Sequence, residues 1–264
     1  MGGLRISVLS IKGGVGKSTI ALTTALELTE MGRNVLLIDR DLLGYSSQLA
    51  GIRGKGLLAS VVEGGNGGNY ISEIKRGGTL TILKFYGDGL RFRKDIEAIH
   101  ERLELRRELR LKYTRILSRK KFDYVIVDNP PLVHPRDEAV KHELDLFRDV
   151  YPDMPIRRIY VTDPLKYNLE ETIDYLRVVE SLSQGGERPM ALVINMVPPP
   201  LSVGPFSEVI NEAKLIDSKM GIVVVPFVEQ LFQYSGEIDC IPRLEQIRRF
   251  ATAIGGGTSY DIVL

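Results

Sequence analysis

Short apolar runs recur along the chain, and helical patterns fill the gaps between them. Leu4–Leu9, Val35–Ile38, Leu80–Leu83, Phe122–Val127, Ile156–Thr162, Met190–Ile194 and Gly221–Val225 are rich in Val, Ile and Leu and short enough for strands. Such near-continuous apolar runs suit strands buried on both faces, as in a parallel sheet. After Leu9 comes a helical spacing, Ile20, Leu22, Ala25, Leu26 and Leu28, with Gly32 as its stop. Further helices are expected at 57–62, 70–74, 91–121 (one long or two), 136–150, 168–182, 209–220 and 241–254. Strands alternating with helices predict an α/β fold, a doubly wound, mostly parallel sheet of about seven or eight strands with helices on both faces. Gly64–Gly68 reads as a flexible surface turn, and Gly255–Gly257 as the start of a frayed tail.

Composition narrows the field. At 264 residues the chain fits a single domain, 1–264, with a helical insertion at 132–155. Net charge is +1, so any preference for nucleic acid or membrane has to be local. The one cysteine, Cys240, excludes an internal disulfide and a Cys-rich metal site, and suits a cytoplasmic protein. No apolar run approaches the roughly 20 residues that span a bilayer, and no leader precedes the first strand. The terminal GGGTSYDIVL is not a basic amphipathic membrane helix.

Chemistry concentrates between the first strand and first helix, in Lys12-Gly13-Gly14-Val15-Gly16-Lys17-Ser18-Thr19. Strand, glycine loop and helix form the context of a phosphate-binding loop. Glycines let backbone N–H groups turn around an anion, and the helix N-terminus adds partial positive charge. Lys17 is placed for the β- and γ-phosphates, the Ser18 hydroxyl for Mg²⁺ and Thr19 for the α-phosphate. Asp39 and Asp41 close the second strand, where two carboxylates can face a Mg-nucleotide. Asp128 ends an apolar strand in the Walker B manner, placed to bind a magnesium-bound water. With no N-K-x-D guanine motif, ATP is favoured over GTP. His134, Glu138 and His142 invite a metal reading, but lack a third firm ligand.

KGGVGKST has Lys12 and paired glycines where the general loop has a single leading glycine, at Ile11 here. It resembles the deviant phosphate loop of the ParA/MinD family of P-loop ATPases. That family's relatives include the arsenite-pump and tail-anchored-protein targeting ATPases and the nitrogenase iron protein. LLIDRD resembles the family's switch I and DNPP its switch II, though Leu42 stands where proline is common. The resemblance implies that Lys12 reaches a partner subunit's nucleotide in an ATP-dependent homodimer. It implies that Asp41 orients the attacking water and that Asp39 touches the magnesium shell. Asn195 would contact the adenine, with Pro226 and Phe227 framing the base. The residues implied in catalysis are thus Lys12, Lys17 and Asp41.

DNA partition or positioning is the leading functional expectation, because basic residues crowd 91–121 and a basic face can bind DNA phosphates. A solvated helix face is the commoner reason for such charge. A partner protein that stimulates hydrolysis fits the same switch. Alternatives are a targeting ATPase of the tail-anchored or arsenite-pump type, with 132–155 as client groove, and a slow-hydrolysing nucleotide-sensing adaptor. The absence of a C-x-x-C pair argues against cluster carriers.

Overall fold

The computed structural model describes residues 3–64, 68–183, 186–257 and 261–263, the last two as backbone only. The central part of the expected 64–68 turn lies outside these residues. Nine strands form one sheet among the described residues: β1 (Leu4–Leu9), β2 (Asn34–Asp39), β3 (Ile71–Lys75), β4 (Thr79–Lys84), β5 (Tyr124–Asp128), β6 (Ile156–Thr162), β7 (Arg188–Val197), β8 (Gly221–Pro226) and β9 (Ile262–Val263). Their order is β3-β4-β2-β5-β1-β6-β7-β8-β9. Every pairing is parallel except β3 with β4. Each apolar run read from the sequence is a strand of this sheet.

The helices are α1 (Lys17–Glu30), α2 (Tyr45–Leu49), α3 (Leu57–Val62), α4 (Phe92–Glu101), α5 (Leu103–Leu117), α6 (Glu138–Val150), α7 (Lys166–Ser181), α8 (Ser207–Ile216) and α9 (Glu245–Gly256). Alternate residues along each strand face opposite layers. On β2, Val35 and Leu37 meet α1 and α9 on one side. Leu36 and Ile38 meet α3, α5 and α6 on the other. The same far layer continues past β6 with α7 and α8. α1 is sandwiched between the sheet and α9 and is buried nearly all round, Ile20, Leu22, Ala25 and Leu26 completely.

Both sheet edges differ from expectation. Residues 70–74 read as helical because Ile71 and Ile74 are three apart, yet β3 is an antiparallel edge strand. The turn Arg76-Gly77-Gly78 sets it: Arg76 N–H donates to Gly78 O at 3.0 Å, and a Cβ on Gly78 would meet the Arg33 carbonyl oxygen at 2.1 Å. Gly255 and Gly256 do not begin a tail. They are the last turn of α9, capped by left-handed Gly257, and β9 then joins β8.

Residues 91–121 form two helices, broken at Arg102, whose backbone is extended. The buried stripe of α5 is Leu109, Tyr113, Ile116 and Leu117; Leu103 and Leu111 are exposed. Leu111 lies about 200° around the helix from Leu109, so it cannot share that face. The charged segment expected within 132–155 is α6, packed on the far layer through Phe147 and Glu143.

Candidate functional site

β2, β5 and β1 are parallel neighbours in the middle of the sheet, so the loops after Leu9, Asp39 and Asp128 meet at their C-terminal ends. Asp39 and Asp128 are direct neighbours in the β2–β5 register. The loop after β1 ends in Gly16, at φ +83°, immediately before α1. A Cβ at Gly16 would lie 2.2 Å from Asn195 Nδ2, so backbone angle and space both demand glycine. Gly14 also has positive φ. Asn195 Nδ2 donates to Val15 O at 2.9 Å, tying the end of β7 to the loop.

Lys17 is buried and bonds Asp128 Oδ1. Asp128 Oδ2 is buried and, among the described residues, unpartnered. Burial pushes the Asp128 carboxyl above its ordinary range, against the pull of Lys17 and Ser18. Asp39 is pushed up to about 7, first by burial and then by Asp128, despite hydrogen bonds from Ser47. Those bonds are Ser47 N–H at 2.8 Å and Ser47 Oγ–H at 2.7 Å to Oδ2, while Asp41 N–H reaches Oδ1 at 3.1 Å. Asp39 therefore fastens the following loop and α2 to the sheet. Asp41 Oδ1 in turn accepts from Leu43 N–H at 3.1 Å. Two buried carboxylates side by side, one oxygen unpartnered and a serine hydroxyl beside it, suit a hard divalent cation with oxygen ligands.

Lys12 lies at the cleft mouth and pairs with Asp163 at 2.8 Å, within its own chain. Burial pushes Asp163 up, but Lys12, Asn168 and the Leu165 N–H more than offset it and hold its carboxyl low.

Lys12, Gly13, Gly14, Gly16, Lys17, Ser18, Thr19, Asp41, Asn195, Pro226 and Phe227 line a cleft of about 420 Å³. Val15 is buried beneath it. Sequence reading missed the rest of the wall: Tyr45 and the 228–234 turn, with Leu231, Phe232, Gln233 and Tyr234. Phe227 and Phe232 are exposed rings with centroids 6.2 Å apart. The aromatic spacing just after Pro226 was a readable signal. Met196 and Gln233, both on this wall, have left-handed backbones, as does Leu132 beyond Pro131. Such strain in non-glycine residues concentrates at functional sites. His134, Glu138 and His142 are not brought together: His134 pairs with Asp137 at 3.0 Å, and Glu138 lies 3.8 Å from His100. Among the described residues no group of three or more His, Cys, Asp or Glu side chains is placed to hold a metal ion.

Sheet order and glycine loop define the class: this is the fold of a P-loop NTPase. The sequence pattern of an AAA-domain family matches residues 4–135. The cytosolic Fe-S cluster assembly factor NUBP2 of Bos taurus is 29% identical over 191 residues, 72% of this chain. That match spans 65% of the bovine protein's own length, under two thirds. Among solved structures, the septum site-determining protein MinD of Pyrococcus horikoshii, complexed with Mg-ADP, superposes with TM-score 0.62 at 18% identity, covering 97% of this chain and 95% of that one. A Borrelia burgdorferi plasmid partition protein bound to AMPPNP gives 0.63 at 18% identity and 96% of both chains. The chain belongs to the AAA-domain family, and its fold is the one seen in these MinD and plasmid partition proteins.

Proposed function

We propose that this protein is a Mg-ATP-dependent switch that hydrolyses ATP and pairs with a second copy across the cleft face. The observation that carries the reading is Lys17 set against the Asp39–Asp128 pair beneath the glycine loop. In this reading the loop N–H groups and the start of α1 hold the phosphates. Lys17 leaves Asp128 for the β- and γ-phosphates, and the aromatic wall of Phe227, Phe232 and Tyr45 encloses the base beside Asn195. Ser18 would hold Mg²⁺ directly, and Asp39 and Asp128 through water. The ion, when bound, neutralises phosphate charge.

Asp41 orients a water in line with the γ-phosphorus. A P–O bond forms to that water as the bond to the β–γ bridging oxygen breaks, giving ADP and phosphate. Lys17, with Lys12 from the facing subunit, stabilises the charge that develops. Lys12 must first leave Asp163.

The test is a pair of variants. Lys17→Ala is expected to abolish ATP binding in calorimetry. Asp41→Ala is expected to bind ATP normally and turn it over at least about a hundredfold more slowly. Normal turnover by Asp41→Ala refutes the water-positioning role.

For the cellular task, partition or positioning is the reading supported by the basic surface of α5. The names of several curated relatives, Fe-S cluster assembly factors and iron-sulfur cluster carrier proteins, favour a second reading, carriage of Fe–S clusters. One cysteine per chain argues against it, since a cluster shared by two copies would find two thiolates where four are usual. Iron and sulfide reconstitution of the ATP-bound protein decides: a stable brown cluster with stoichiometric iron supports the carrier reading.

A further inference from the structure

Arg40 stands between the two aspartates of the loop after β2, yet its side chain belongs to the far layer. It is completely buried. Its Nη2 donates to Ala139 O in the first turn of α6, and its Nη1 lies 3.5 Å from Glu143 Oε2. The guanidinium carbon lies 5.6 Å from the Tyr86 ring centroid, and the Tyr86 hydroxyl donates to the same Ala139 O at 2.8 Å. On its main-chain side, Arg40 N–H donates to Asp128 O at 2.9 Å. The next backbone oxygen upstream, Asp39 O, accepts from Phe85 N–H at 2.9 Å. Residue 40 is thus held in front by β5 and behind by α6.

The far end of the contact is equally fixed. Glu143 is buried, doubly bonded by Arg5 and capped by the Tyr113 hydroxyl. Arg5 lies over the Phe147 ring at 4.3 Å. Burial pushes Glu143 up, and Arg5 and Arg40 more than offset this, so its carboxyl stays low and ionised. Two buried guanidinium groups on one carboxylate are a poor way to gain stability; apolar packing would serve as well or better. What the arrangement supplies is direction, since a guanidinium bonds in a fixed plane. Arg5, at the base of β1, is attached to no loop of the cleft. Arg40 is attached to the segment that carries Asp39 and Asp41.

We propose that Arg40, held by Glu143 and Ala139, is a latch through which α6 fixes the loop carrying Asp39 and Asp41, so that Arg40 is a positioning residue for hydrolysis. The kinetic half rests on the ATPase reading above; the mechanical half does not. Without the latch the 40–47 backbone loses its rear anchor, and Asp41 no longer holds one orientation.

Arg40→Met keeps the bulk of the side chain and leaves a neutral Arg5–Glu143 pair, so the fold is preserved; Arg40→Lys restores the charge without the two-pronged contact. Hydrogen exchange by mass spectrometry on the nucleotide-free protein is expected to show residues 40–48 exchanging about tenfold faster in Arg40→Met, with 190–197 and 221–226 unchanged. Steady-state kinetics are expected to show kcat down about tenfold with KM for ATP within about threefold, and Arg40→Lys in between. Unchanged exchange over 40–48 overturns the latch. Faster exchange with unchanged kcat, or loss of kcat and ATP affinity together, overturns the positioning role. A wild-type protein without ATPase activity refutes the enzymatic reading, and exchange alone then decides the latch.

Discussion

At Gly16 the backbone angle and the Asn195 amide act on the same atom, because any side chain would meet both. Gly16→Ala is expected to cost at least about 1–2 kcal/mol from the left-handed backbone alone, more from the clash, and to weaken nucleotide binding. Gly13 has open space around it and no positive φ, so Gly13→Ala should melt with the wild type. Paired thermal melts and ATP titrations check both; equal loss in the two variants would mean that glycine content, not the Gly16 geometry, matters. Lys12 makes a related point. Its partner, Asp163, lies at the end of β6, far from it in sequence, and nothing in the local pattern announced the pair.

Among the elements, α4 and α6 meet through two histidine rings, His100 and His142, with centroids 5.4 Å apart. Among the described residues, His142 Nε2 is buried without a partner. Burial pushes the His142 imidazole below its ordinary value, His100 and Arg106 add to this, and Asp145 and Glu143 oppose it. The folded state thus binds this proton less readily than the unfolded one. The resulting stability is present above about pH 6.5 and is lost as pH falls through the lower folded value. Between pH 7.5 and 5.5 the wild type is expected to lose more melting temperature than His142→Phe; parallel slopes would show that the ring titrates unperturbed. On the other side of the sheet, Phe250→Ala in α9 should cost about 3–5 kcal/mol by denaturant titration, since the ring is fully buried against α1.

These elements also show where sequence reading reaches and where it stops. Loop, strand ends and α1 were legible because their chemistry is local: glycines beside Lys17, aspartates closing apolar runs. β3 is not the helix expected at 70–74: its two isoleucines are three apart, but the Gly77–Gly78 turn folds the segment back along β4. The Arg40–Glu143 contact was invisible, since the two residues are 103 positions apart and each alone reads as solvated charge. The wall from Leu231 to Tyr234 follows a single 3-10 turn, Glu229–Leu231, too short to give a periodicity; its aromatic residues are the only local signal.

Across the whole molecule, charge and cleft are separated. β5 runs from Tyr124 to Asp128 toward the cleft, so the end of α5 and Arg115, Arg119 and Lys121 lie toward the N-terminal ends of the strands, away from the cleft. Arg110 and Lys120 are engaged by Asp149 and Glu73. If this end binds DNA, the triple variant Arg115→Ala, Arg119→Ala, Lys121→Ala should lower the slope of log affinity against log salt by about 2–3 and leave ATP turnover intact. An unchanged slope in anisotropy titrations would make the cluster a solvated face. Among the described residues no helix is long and apolar enough to cross a membrane.

The two borders of the sheet carry a consequence for how copies of this protein meet. Open sheets invite strand-by-strand polymerisation wherever an unpaired backbone is left long and flat. Here one border is the reversed strand β3, bearing Glu73 and Lys75, and the other, among the described residues, is β9. The charged side chains of β3 oppose a further strand there, so that border resists runaway stacking.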